Sequence, residues 1–140
     1  MDINLTRKYD HIICLQREKT EQIYINPQDT IPLTQIKWKN KLHHFDTVNQ
    51  DTIISAKYTF YNTGDNPLVI FYVNPDCNCT SYVLSKKRIP TNDSAFIELK
   101  LNTKNKIGKQ QLYSTVCANT KTRMYKLTLK TYVKEKAENF

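Results

Sequence analysis

The chain has 140 residues, enough for one domain with its own core. Its two glycines, Gly64 and Gly108, stand against about ten expected from average usage, and they exclude phosphate-cradling loops and dinucleotide fingerprints, which need several glycines close together. The net charge of +8 comes from lysines spread along the chain, many alternating with apolar residues as at Lys126, Lys130 and Lys134, which reads as solvated strand faces and disfavours a nucleic-acid partner.

In chain order, the first 35 residues are ambiguous. Leu5, Tyr9, Ile12 and Ile13 fit one helical face, whereas His11 to Gln16 and Gln22 to Asn26 can pair as a hairpin across Arg17 to Glu21. The hairpin is preferred, followed by a connector through Pro27 and Pro32 into Ile36-Lys37-Trp38. From Ile53, Ile54, Ala56, Tyr58 and Phe60 alternate with Ser55, Lys57, Thr59 and Tyr61, the pattern of a half-buried strand. Turn chemistry from Asn62 to Pro67 ends it. Leu68 to Val73 is continuously apolar and predicts a strand buried on both faces.

Cys77 to Leu84 reads as a shorter extended piece, Lys86-Lys87-Arg88 as exposed, and Pro90 to Asp93 as a turn. Ala95, Ile97, Leu99 and Leu101 alternate with Phe96, Glu98 and Lys100 in the next strand. Residues 102–109 read as a polar loop, Leu112 to Ala118 as a strand, Asn119 to Thr122 as a hairpin turn and Tyr125 to Val133 as the last strand. Short strands at regular spacing, with no helical stretch between them, predict an all-β, immunoglobulin-like antiparallel β-sandwich of about seven to nine strands. Trp38, Phe45, Phe60, Ile70, Ile97, Leu99, Val116 and Leu127 are its expected core. The expected layout is an N-terminal extension over 1–35, the sandwich over 36–134 and a flexible charged tail over 135–140.

Chemistry-bearing residues are sparse. Cys77 and Cys79 are two apart, so on a strand they share a face. They read as structural cysteines, reduced or bonded; the functional alternatives are a thiol-redox pair or a soft-metal site. One intervening residue is tight for zinc, and only His43, His44, Cys14 and Cys117 are available to complete such a site. His43 and His44 point to opposite faces of a strand and read as a solvated approach to the sandwich, as does His11. No glycine-flanked serine offers a nucleophile, and the acidic residues fall mostly in turns. The expectation is therefore no enzyme, no cofactor and no small-molecule substrate.

No apolar run reaches membrane-spanning length, and Met1 opens a polar segment unlike an export signal. The chain reads as cytoplasmic as written, or as a protein of the periplasm or cell envelope whose signal has been removed.

An ordered set of motifs runs from about Ile36 to Val133. It comprises His43-His44-Phe45-Asp46-Thr47-Val48, an aromatic strand closing on Asn62-Thr63-Gly64, then Pro67-Leu68, an apolar strand, and Cys77-Asn78-Cys79-Thr80. The Pro90 turn, Gly108 in a loop and Val116-Cys117-Ala118-Asn119 follow. The set resembles the family catalogued as domain of unknown function 1573, common in Bacteroides-type bacteria. Asp46 and Asn78 stand where that family favours glycine; both residue types tolerate left-handed backbone. The resemblance implies an immunoglobulin-like fold, related to domains of centrosomal and ciliary proteins, with no assigned activity.

Asp followed by Ser or Thr and an apolar residue occurs four times, where about 0.4 are expected by chance. The triplet resembles the O-glycosylation acceptor of exported proteins in the same bacterial group, which makes Thr30, Thr47, Thr52 and Ser94 candidate acceptors. An aspartate turn opening a strand produces the same triplet. The leading expectation is an exported module that contacts a protein or cell-envelope component. The rivals are a redox or metal protein acting through Cys77 and Cys79, and a nucleic-acid binder. Cys117 is expected to be buried and unbonded, with Cys77 and Cys79 near the surface.

Overall fold

The computed structural model describes residues 31–136, which are all-β and form nine strands. In chain order these are β1 (Ile36–Trp38), β2 (Leu42–Asn49), β3 (Ile53–Asn62), β4 (Leu68–Pro75), β5 (Thr80–Leu84), β6 (Arg88–Ile89), β7 (Ser94–Asn102), β8 (Gly108–Ala118) and β9 (Met124–Lys134). One sheet has the order β1-β3-β7-β5 and the other β2-β9-β8-β4-β6. The expected hairpin within residues 1–35, Thr30 and the end of the tail lie outside the described residues.

The period-2 pattern decides which residues meet between the sheets. Ala56, Tyr58 and Phe60 of β3 are buried, as are Ala95, Ile97, Leu99 and Leu101 of β7. Val116, Leu127 and Leu129 close the core from the second sheet. Trp38 and Phe45 pack against this core half-buried, and Trp38 tilts against Phe60 and Tyr125 at 5.1 and 5.7 Å between ring centroids. Each large apolar side chain buried in full stabilises the fold by about 1.5–3 kcal/mol. This burial is the main favourable contribution to the sandwich, set against a conformational-entropy cost of similar size.

β4 is apolar from Leu68 to Val73 because both its faces are covered there. Leu68, Ile70 and Val73 join the main core, while Val69 and Phe71 form a second cluster with Cys117 on the outer side of the sheet, against Ile31, Tyr72 and Met124. A register shift between Ile70 and Tyr72 accompanies the change of face.

Three features depart from the sequence reading. β2 is a strand, and it pairs with β9 in parallel, although every other strand pair is antiparallel. No tight turn joins β2 to β9, so hairpin chemistry does not set their relative direction. β8 begins at Gly108, inside the segment read as a loop, and Arg88-Ile89 adds a two-residue edge to β4. The left-handed non-glycine positions are Asp51, Asn92, Asn105 and Arg123, not Asp46 or Asn78. Asp46 lies within the register shift between His44 and Thr47 of β2.

Candidate functional site

The two ends of the sandwich are built differently. At one end Asn62 closes β3 and is 1% exposed. Its Oδ1 accepts hydrogen bonds from the Thr34 hydroxyl at 2.9 Å and the Gly64 amide at 3.1 Å. Its Nδ2 donates to the carbonyls of Asn66 at 2.8 Å and Ile89 at 3.0 Å. Four polar groups of three separate segments thus meet one side chain. Gly64 follows because the chain passes Thr34 too closely for a Cβ, which would collide with the Thr34 hydroxyl and the Gln35 amide nitrogen. Asn119 plays the same part at the end of β8: it accepts from the Val69 amide at 2.6 Å and donates to the carbonyls of Pro32 and Pro67, both at 2.9 Å. Sequence reasoning singled out Asn62, Thr63, Gly64 and Pro67 but assigned no such role to Asn119. The available signal was the repeated Asn-Thr pair directly after an apolar strand, at Asn62-Thr63 and Asn119-Thr120.

At the opposite end, residues 75–79 cross from the second sheet to the first. The Asp76 amide donates to the Tyr113 carbonyl at 2.9 Å, and the Asn102 amide donates to the Cys79 carbonyl at 2.9 Å. Cys77 and Cys79 form a disulfide within this crossing. Both are half-buried. The Cys79 amide donates to Cys77 Sγ at 3.1 Å, and the Thr80 hydroxyl lies 3.8 Å from Cys79 Sγ. Cys79 lines an open cleft of about 390 Å³ together with Ile53, Asn78, Lys100, Asn102 and Lys104. Lys100 also reaches Glu98 at 3.6 Å. As a disulfide, the two sulfurs offer no thiolate to a metal, which corrects their reading as metal-ligand candidates in this state.

Cys117 is wholly buried, as expected, but it is disulfide-bonded rather than free; its partner lies outside the described residues. The bond does not run to Cys77 or Cys79, which are bonded to each other. Cys117 does lie far along its strand from them, opposite Tyr72 and Met124. Its side chain, however, joins the second cluster on the outer face rather than the main core.

The histidines separate. His44 is exposed, but His43 is not merely solvated: its Nε2 donates to the Lys57 carbonyl at 2.7 Å and its ring meets Tyr58 edge-on at 4.6 Å, joining the two sheets. Tyr58 donates in turn to the Thr128 carbonyl at 2.5 Å, and burial holds its phenol well above the ordinary range. Of the triplet hydroxyls, Thr47 is exposed on β2, Ser94 is half-buried, and Thr52 donates to the Asn49 carbonyl at 2.8 Å. Two lysines cover aromatic rings on the outer faces, Lys57 over Phe96 at 4.2 Å and Lys126 over Tyr113 at 4.5 Å. No helix among the described residues is long and apolar enough to cross a membrane.

No curated protein matches the chain in sequence. Among solved structures, a protein of unknown function from Porphyromonas gingivalis superposes with a TM-score of 0.66 at 10% identity, over 72% of this chain and 47% of its own. This chain therefore spans about half that protein's length. The human CEP192 PapD-like domain 7 gives a TM-score of 0.55 at 11% identity over 85% of this chain and 99% of that domain. The VesB protease of Vibrio cholerae gives 0.56 at 12% identity, over 71% of this chain but only 32% of the protease. These likenesses establish the fold, an immunoglobulin-like sandwich. Over residues 36–133 the sequence matches the model of the family described as protein of unknown function (DUF1573), and the chain belongs to that family.

Proposed function

We propose that this chain is a non-enzymatic, immunoglobulin-like module of the cell envelope that works by contacting another protein. The observation that carries the compartment is the state of the cysteines: Cys77, Cys79 and Cys117 are all disulfide-bonded. Disulfides persist in oxidising compartments and are rare in the cytosol. Cys117 is wholly buried, so its bond belongs to folding rather than to later surface oxidation. Contact with a protein is supported by β5, an edge strand on which Tyr82 and Val83 are 44% and 46% exposed. An apolar open edge suits the addition of a partner's strand. In the exported protein, Thr47 is the most accessible described glycan acceptor, ahead of Ser94 and the engaged Thr52.

The test is to recover the native protein from fractionated cells after acid trapping and to alkylate it with and without reductant. An envelope location with Cys117 unalkylated before reduction is expected; a reduced Cys117 or a cytosolic location would overturn the reading. A photo-crosslinking residue at Val83 is expected to give a discrete protein adduct that the same residue at Lys57 does not give. Absence of an adduct from Val83 would remove strand addition at β5. Intact mass of the same sample reads glycan, mapped to Thr47 before Thr52.

A further inference from the structure

We infer that the Cys77–Cys79 disulfide is an exchangeable redox centre whose substrates are dithiols, with Cys79 as the sulfur attacked and Cys77 as the leaving thiolate. The inference stands apart from the envelope reading, because it concerns the reactivity of this bond wherever the protein resides.

A disulfide spanning a single residue closes so little chain that its entropic contribution to stability is small. The molecule already has a large core, so stabilisation does not account for the bond. Its surroundings do suit exchange. Cys79 is half-buried and packs in part against the main core, and it also borders an open cleft from which a thiolate can approach. Lys100 and Lys104 line that cleft and attract an anionic nucleophile, Lys100 in part offset by Glu98. The departing sulfur, Cys77, already receives the Cys79 amide at 3.1 Å, a donor that favours its thiolate over its thiol. The Thr80 hydroxyl stands 3.8 Å from Cys79 Sγ and can donate to it in the second half of the reaction. Cys117, by contrast, is 0% exposed.

The exchange balances as follows. One thiolate of the dithiol attacks Cys79 Sγ. The Cys77–Cys79 bond breaks, and its electron pair leaves on Cys77, which takes a proton. The substrate's second thiol loses its proton and attacks the substrate sulfur of the mixed disulfide. Cys79 leaves as a thiolate and is protonated. The dithiol is oxidised to a disulfide, and Cys77 and Cys79 are reduced by two electrons and two protons. A more oxidising protein disulfide restores the bond by the same steps in reverse.

The test uses the full chain with dithiothreitol as the dithiol probe and glutathione as the monothiol trap, quenched by acid and mapped by tandem mass spectrometry. Cys77–Cys79 is expected to open in the folded protein about a hundredfold faster than the bond to Cys117. The glutathione adduct is expected on Cys79. The double variant Lys100→Gln/Lys104→Gln is expected to slow attack by glutathione about fivefold, with its urea midpoint unchanged. The inference is overturned by an adduct on Cys77, by a rate indifferent to the two lysines, or by opening of Cys77–Cys79 only as fast as the Cys117 bond.

Discussion

The asparagine end and the disulfide end of the sandwich use their motif residues in opposite ways. Asn62 and Asn119 are almost wholly buried, and their side chains are spent on backbone groups of neighbouring segments. Cys77 and Cys79 remain half-buried, Cys79 beside an open cleft, with only one residue enclosed by their bond. A motif stretch shared by a family thus holds two kinds of residue, those that make the fold and those that the fold leaves accessible. The sharpest way to break this division is Asn62→Ala. It removes the partner of the Gly64 amide and of the carbonyls of Asn66 and Ile89 and is expected to cost about 2–4 kcal/mol in urea unfolding. Asn62→Asp is expected to rescue little, since a carboxylate cannot donate to the two carbonyls. A loss below about 1 kcal/mol would show that the asparagine is not structural after all.

Gly64→Ala tests the same end without touching a hydrogen-bonding side chain. The new methyl would run into the Thr34 hydroxyl and the backbone of Gln35. One of the two partners is backbone, so relief requires the 34–35 segment to move, at an expected cost of about 2–3 kcal/mol. An unchanged midpoint would mean that this segment shifts freely, and with it the parallel bridge from Thr34 to Thr120.

How far the sequence could be read follows from the same physics. The alternation in β3, β7 and β9 was legible because each strand has one core face and one wet face. The apolar run of β4 was legible as two-faced burial. β2 was not legible as a strand, because it lies at a sheet edge with mostly exposed residues and so carries little hydrophobic signal. Its parallel pairing with β9 depends on partners more than 80 residues apart, such as His43 and Leu129. At the candidate site, Cys77 and Cys79 were visible as a pair, but Lys100 and Lys104 were not, since only the β5–β7 register carries them to Cys79. The bond at Cys117 was missed because its strand reads the same whether the cysteine faces the core or the outer cluster.

The disulfide end is expected to respond more mildly. Cys77→Ser/Cys79→Ser removes a bond across one residue and is expected to cost less than about 2 kcal/mol, with far-ultraviolet circular dichroism unchanged. Cys117→Ser places a hydroxyl among Val69, Phe71 and Met124 as well as removing a bond, so it is expected to cost more than the double variant. The reverse order would show that the crossing at 75–79 depends on its covalent link.

The smallest effect separates the buried amide of Asn62 from the charge beside it. Asp93 belongs to the asparagine end through its backbone, since its carbonyl accepts the Asn62 amide at 3.0 Å. Its carboxylate lies outside the core. There the hydrogen bond from Lys86, at 2.7 Å, holds its pKa below the usual carboxylate value, helped by the Ser94 amide at 2.8 Å and by the lysine's charge, against a slight desolvation. A carboxylate whose pKa is lowered by folding adds stability above its unfolded value of about 3.9, and that contribution fades as pH falls through the folded value. Asp93→Asn keeps an oxygen for the Ser94 amide and removes only the charge. Its urea midpoint is therefore expected to fall slightly below the parent's at pH 7 and to converge with it near about pH 2, where both side chains are neutral. Added salt is expected to shrink the pH 7 difference, because the pair is exposed. An equal loss at pH 2 and pH 7 would mean that residue 93 acts through the shape of its turn, and the asparagine end would then extend one residue further than its buried hydrogen bonds.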